Sequence, residues 1–368
     1  MAVTHEKIIE ALSFVIEADL KKDIISLDLV SNITFQDGTV SFDLKISNPA
    51  MHNKKRMEEA CIHQIKRFLG SEIKVEANIT AMGKAHERAP EHRTILPQVK
   101  NIIAVASGKG GVGKSTISAN LAAGFAKKGL KVGLIDADIY GPSVPAMFNV
   151  DLEKPETMEV DGKEYIKPVE NYGVKMLSIG FFASPDQAVV WRGPMATKAL
   201  TQLFKDGYWG ELDYMFIDLP PGTGDVHLTL VQQIPLNGAI IVSTPQEIAL
   251  VDVRKALGMF NLPQINVPVL GLVENMAYFS PAELPENKYY IFGKQGARDL
   301  ADKMKIPYLA EIPIVQSIRE AGDAGRPAVL QEDTPQSKAF DKMVEKVIEM
   351  QEAQKNSNIG NGNDGQGA

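Results

Sequence analysis

The chain has 368 residues, a formal net charge of −7, 44% hydrophobic and 23% charged residues, which is a globular balance at a length that suggests two domains. No dense Lys/Arg cluster supplies a basic face, and His52-Asn53-Lys54-Lys55-Arg56 reads as a short solvated helix start, so no nucleic-acid partner is expected. No apolar run reaches membrane-span length and the N-terminus lacks a signal peptide's apolar stretch, so a cytoplasmic location without a membrane partner is expected; the single Cys61 excludes an intrachain disulfide and any metal cluster held by several cysteines of one chain.

Residues 1–82 read as a small α/β unit. Helical periodicity covers 6–16. Strand-like alternation follows at 26–35 and 39–47, and Asp37-Gly38 between them is a hairpin signal. Residues 57–69 are helical, with Cys61, Ile65 and Phe68 on one stripe, and 72–79 alternate again. The order α-β-β-α-β argues for a small sheet with helices packed on it. Residues 83–98 are polar, contain Pro90 and Pro97, and form a linker by composition.

From residue 99 to about 350 the pattern is strand–helix repetition. Apolar runs stand at 101–107, 131–136, 214–218, 238–243, 267–273 and 308–312, several uninterrupted, as strands covered on both faces are. The fold class is α/β, a doubly wound, mainly parallel sheet, whose ligands sit beyond the carboxyl ends of the strands. A last helix is expected over 337–354. Residues 351–368 are rich in Gly, Asn and Gln and are expected to be a disordered tail.

The first strand of this second domain leads into Gly108-Lys109-Gly110-Gly111-Val112-Gly113-Lys114-Ser115, and a helix follows from Thr116. This is the phosphate-binding loop G-x-x-x-x-G-K-[ST] in its required strand–loop–helix context. Backbone N–H groups of Gly108 to Thr116 turn around phosphate oxygens, and the helix N-terminus faces the same anion. Lys114 supplies charge for the β- and γ-phosphates, and the Ser115 hydroxyl ligates Mg²⁺. Lys109 is a second lysine at the start of the loop. In this it resembles the deviant Walker A ATPases, the MinD, ParA, ArsA and nitrogenase iron-protein group. The resemblance implies that Lys109 reaches across a homodimer to the partner's nucleotide, in the manner of an arginine finger.

Acidic residues stand at two strand ends. Asp136 and Asp138 lie two apart in extended chain, so their side chains point the same way. Asp138 is expected to orient the attacking water and Asp136 to join the Mg²⁺ water shell, with a turn or N-cap aspartate as the alternative for one of the two. Asp218 ends the strand before Leu219-Pro220-Pro221-Gly222-Thr223-Gly224, where a Walker B carboxylate holds Mg²⁺ through water. Gly222 offers its N–H to the γ-phosphate and can swing when that phosphate leaves. Asn275, after the 267–273 strand, carries the donor and acceptor needed for an adenine edge. The histidines at 5, 52, 63, 86, 92 and 227 show no metal-ligand spacing and read as structural.

Gly108–Ser115, Asp136–Ser143 with Val144-Pro145, Trp191-Arg192-Gly193-Pro194-Met195 and Asp218–Asp225 together closely resemble the Mrp/ApbC family of iron–sulfur cluster carrier ATPases, in the form with a small SufT-like N-terminal domain. The resemblance spans about residues 4–345. It implies a homodimer that binds ATP with Mg²⁺, hydrolyses it slowly, and carries a [4Fe–4S] cluster between subunits to apo iron–sulfur client proteins. The family's Cys-x-x-Cys follows an Asn-Met-x-x-Phe segment. Here Asn275-Met276-Ala277-Tyr278-Phe279 is followed by 280–287 without a cysteine, and the N-terminal Pro-Ala-Cys-Pro is replaced by Pro49-Ala50-Met51-His52. The chain therefore either serves cluster biogenesis without bridging a cluster that way, or uses carboxylates such as Glu283 and Glu286. A MinD/ParA-type positioning ATPase without a cluster is the alternative, and a small-molecule kinase on the same sheet is a third.

Overall fold

The computed structural model describes residues 4–17, 22–27, 29–36, 38–46, 51–81, 95–139, 141–182, 193–281, 283–284 and 286–360. The chain divides into two compact units, Met1–His92 and Arg93–Ala368. The division falls inside the polar stretch 83–98, of which Ile95 and Leu96 are buried with the core of the larger unit.

The small unit contains α1 (His5–Leu12), β1 (Ile16–Glu17), β2 (Lys22–Asp23), β3 (Val30–Gln36), β4 (Thr39–Ile46), α2 (Met51–Leu69) and β5 (Lys74–Ala81). Its sheet runs β3-β4-β5, antiparallel between β3 and β4 and parallel between β4 and β5. Period-two patterning puts Val40, Phe42, Leu44 and Ile46 on the buried face, packed with Cys61 and Ile65 of α2. Phe68, expected on the same stripe, is about one-third exposed in the last turn of α2 and pairs with Phe14, ring centroids 5.1 Å apart.

The larger unit contains β6 (Val99–Ser107), α3 (Lys114–Lys127), β7 (Val132–Asp136), α4 (Val144–Met147), β8 (Thr157–Val160), β9 (Lys163–Ile166), β10 (Val169–Asn171), β11 (Val174–Ser178), α5 (Gly193–Asp206), β12 (Leu212–Asp218), α6 (Asp225–Gln233), β13 (Gly238–Ser243), α7 (Glu247–Phe260), β14 (Val269–Phe279), α8 (Gly296–Met304), β15 (Tyr308–Ile314), α9 (Gln316–Asp323) and α10 (Pro335–Gly360). Eight strands form one sheet in the order β10-β11-β7-β12-β6-β13-β14-β15. All pairings are parallel except that of edge strand β10 with β11. Core residues fill both faces, Ile102, Ala104 and Ala106 of β6 on one side and Ile103 and Val105 on the other. That two-sided burial is why these strands read as continuous apolar runs.

Two boundaries differ from the sequence expectation. β14 runs on through Phe279, so Asn275 lies inside the strand instead of after it. The pairing with β15 breaks between Asn275 and Phe279, where Met276 adopts a φ of 55°. α10 continues to Gly360, into the stretch expected to be disordered. Glu, Met, Gln, Ala and Lys at 349–355 are strong helix formers and carry it on, and Gln351 is buried. Residues 361–368, Tyr140, Trp191 and Arg192 lie outside the described residues.

Candidate functional site

Parallel strands bring their carboxyl ends to one edge of the sheet, and there β6, β7, β12 and β14 deliver the expected site residues. The loop from Gly108 to Gly113 joins β6 to α3. Ser107 Oγ closes its first turn by donating to the Lys109 carbonyl at 2.9 Å. Only glycine fits at two positions. A Cβ on Gly108 would run into the backbone of Asp252 and Val253 in α7, and Gly113, at φ 79°, lies against the Asn275 amide. The loop with Asp138, Ser143, Met147 and Pro221 encloses a cavity of about 210 Å³, onto which the N-terminus of α3 opens. Free N–H groups at such a terminus favour an anion.

Beneath the loop lies a buried charge cluster. Lys114 Nζ is 2.8 Å from Asp218 Oδ1 and 3.7 Å from Asp138 Oδ2. Asp218 is fully buried and accepts two further hydrogen bonds of 2.6 Å, from Ser115 Oγ and Ser118 Oγ. Asp136 is fully buried as well. It accepts from the Asp138 N–H at 3.1 Å, the Val144 N–H at 3.2 Å and Ser178 Oγ at 3.0 Å, so both of its oxygens hold the 138–144 segment in place. Burial, then the neighbouring Asp218 charge, pushes the Asp136 pKa up to about 7, against the pull of Lys114.

The expected residues therefore separate by position. Lys109, Gly110, Gly111, Gly113, Lys114, Ser115, Thr116 and Asp138 line the cavity. Val112 is packed in the core, and its carbonyl accepts from Asn275 Nδ2 at 2.9 Å. Asp136 and Asp218 sit behind the cavity wall. The Gly222 N–H donates to the Ser107 carbonyl at 3.0 Å and so points at strand β6. Asn275 donates one amide N–H to the loop, and among the described residues its Oδ1 accepts no hydrogen bond. Asn275 also lines a second cavity of about 1060 Å³ that shares Thr116, Ser143 and Met147 with the first.

Three groups escaped the sequence reading. Ser118 follows Lys114 by one helical turn, so i,i+4 spacing was the available signal. Residues from the end of β15 into α9, Pro313 to Gln316 with Ile318 and Arg319, form a wall of the larger cavity. His227, read as merely structural, bonds the Pro220 carbonyl through Nδ1 at 3.1 Å.

Comparisons with known proteins place the chain among known families. The family described as NUBPL iron-transfer P-loop NTPase matches residues 98–348, and that described as iron–sulfur cluster assembly protein matches residues 5–78. An iron–sulfur cluster carrier protein of Synechocystis sp. is 40% identical over 346 residues, covering 94% of this chain and 97% of that relative. One from Aquifex aeolicus is 50% identical over 263 residues, 70% of each chain. A solved structure of a nucleotide-binding protein from Archaeoglobus fulgidus in complex with ADP superposes at a TM-score of 0.57 with 41% identity, covering 67% of this chain and 93% of that one.

Proposed function

This chain belongs to the NUBPL iron-transfer P-loop NTPase family, and from that membership we propose that it binds and hydrolyses ATP, as a homodimer, to drive iron–sulfur cluster assembly and transfer to apoproteins. The observation that carries the proposal is the match along 94% of the chain to a carrier protein. The intact loop and carboxylate cluster support it.

The residues fit a magnesium-bound triphosphate. The glycine loop leaves room that a Cβ would fill, and Ser115 and Asp218 present the hard oxygens that Mg²⁺ prefers. Bound Mg²⁺ neutralises charge building on the phosphoryl oxygens. Lys114 exchanges its carboxylate partners for β- and γ-phosphate oxygens. Asp138, at the cavity rim 3.7 Å from Lys114, orients the attacking water. Asn275 Oδ1 accepts from the adenine amino group in the larger cavity. Lys109 lines the cavity without an ion pair among the described residues, which suits a role on the partner's nucleotide. Gly222 must turn its N–H from Ser107 to meet a γ-phosphate, and that turn makes the two-state switch.

The cluster is cargo, and this chain's own donors do not fit a thiolate-held one. Cys61 is fully buried in the small unit, and burial, then the Glu58 charge, pushes its thiol up to about 12. Glu283 and Glu286 are exposed, and among the described residues no three His, Cys, Asp or Glu side chains gather as a metal site. Where the family's cysteines would follow Phe279, that residue and Tyr289 exchange two backbone hydrogen bonds of 2.8 Å. Transfer to an apo [4Fe–4S] client under anaerobic conditions tests the proposal. Delivery accelerated by this protein with Mg·ATP, and not by its Lys114→Ala variant, supports it. Client maturation indifferent to both overturns it.

A further inference from the structure

His227 stands near the start of α6, directly after the switch turn, and only 1% of it is exposed. A carbonyl only accepts, so the 3.1 Å contact to Pro220 O places the proton on Nδ1. Nε2 is then a lone-pair acceptor, and it has no hydrogen-bond partner among the described residues. Burial pushes the pKa of the ring down to about 4, which keeps it neutral. The ring meets Phe260 of α7 edge-on, centroids 6.0 Å apart. α7 is the helix whose backbone abuts Gly108.

An apolar side chain would fill this space without stranding a buried acceptor, which costs stability. The imidazole is therefore there for its Nδ1–H. The turn it holds is short of anchors, because Pro220 and Pro221 lack N–H groups. Leu219 N–H bonds Val105 O at 3.0 Å and Gly222 N–H bonds Ser107 O at 3.0 Å. Once Gly222 leaves Ser107 for a phosphate, Leu219 and His227 remain to fix the turn.

We propose that His227 is a positioning residue that pins the Pro220 carbonyl, making Pro220 the fixed pivot about which Pro221–Gly224 moves between nucleotide states. The inference rests on the ATPase reading above for its function, and on geometry alone for its placement.

Two variants test it. Asn places an amide N–H where Nδ1 stands, whereas Phe keeps the ring shape and removes the donor. Hydrogen exchange of the Leu219, Gly222, Thr223 and Gly224 amides in the nucleotide-free protein is the direct readout. His227→Phe should speed exchange there by about three- to tenfold, the scale of one lost hydrogen bond, while His227→Asn stays close to the parent protein. The kcat for ATP should fall in the same order, with ADP affinity unchanged, since ADP lacks the γ-phosphate that the turn meets. Unchanged exchange in the Phe variant, or equal loss in both variants, overturns the inference. Exchange that ranks as expected across the two variants and the parent, with a parent that does not hydrolyse ATP, refutes the ATPase reading and leaves the pivot standing.

Discussion

Lys114 and Asp218 form a buried ion pair, Nζ to Oδ1 2.8 Å, with the lysine 5% exposed and the aspartate not at all. Two charges out of water hold only while each has its partner. The pair also keeps the ammonium at the floor of the loop, where Lys114 lines the phosphate cavity.

Removing the lysine therefore has two consequences. Lys114→Ala leaves Asp218 with only the Ser115 and Ser118 hydroxyls, and should cost about 3–5 kcal/mol of unfolding free energy in urea. It should also abolish nucleotide binding. The Lys114→Ala, Asp218→Asn double variant removes the stranded charge and should recover most of the stability but none of the binding. A double variant as unstable as the single one contradicts the pair's role.

Lys109→Ala should leave ADP affinity within about twofold of the parent, since the residue's charge serves the neighbouring protomer. Its kcat should fall by about 10³-fold or more, as loss of a charge delivered in trans does. Equal losses in affinity and turnover would instead place Lys109 on its own nucleotide.

Asn275 joins β14 to the loop through Val112 O. Asn275→Ala should lower nucleotide affinity by about tenfold, the scale of one or two hydrogen bonds. Asn275→Asp should be worse, because it sets a carboxylate beside a carbonyl and near phosphate. Calorimetry with ADP ranks the two, and an Asp variant that binds better than the Ala variant counts against the assignment.

Most of the machinery was legible because its residues are contiguous. The loop, the two strand-end aspartates and the Pro-Pro-Gly turn each announce themselves within a few residues. The ties between those segments were not legible. Ser118 meets Asp218 across 100 positions and Asn275 meets Val112 across 163, and no local pattern encodes such pairings. Asn275 shows the consequence, since its residue type suggested a base contact but not that one of its amide N–H groups ties the loop to β14. The fold shows the same division. Long buried strands such as β6 and β13 stood out as apolar runs, whereas β8 to β10 are short and partly exposed, and β11, though buried, is only five residues long and broken by Lys175.

His227 and Asp136 make acid stability a difference of opposing effects. The His227 pKa falls from 6.5 to about 4 on folding, so the unfolded chain binds the extra proton and stability is lost as pH drops through that window. Asp136 rises from 3.8 to about 7, so the folded chain binds the proton and stability is gained over the same fall. Comparing the parent with His227→Asn isolates the first effect. The parent should lose about 3 kcal/mol relative to the variant between pH 6.5 and 4, at ~1.4 kcal/mol per pKa unit. A difference that does not change with pH contradicts a neutral, buried imidazole.

Cys61 should be chemically silent in the folded state. Its thiol should resist iodoacetamide at pH 8 and react once urea exposes it, and Cys61→Ala should leave ATP turnover unchanged. Rapid labelling of the native protein would show that the thiol is neither buried nor held neutral.

The central claim is that the loop from Gly108 to Ser115, seated on the Lys114–Asp218 pair, holds an adenine nucleotide. Calorimetric titration of the full chain with a non-hydrolysable ATP analogue and Mg²⁺ tests this most directly. The account predicts one nucleotide bound per chain and no binding to the Lys114→Ala variant. Absence of binding by the parent protein, or equal binding by both, would contradict it.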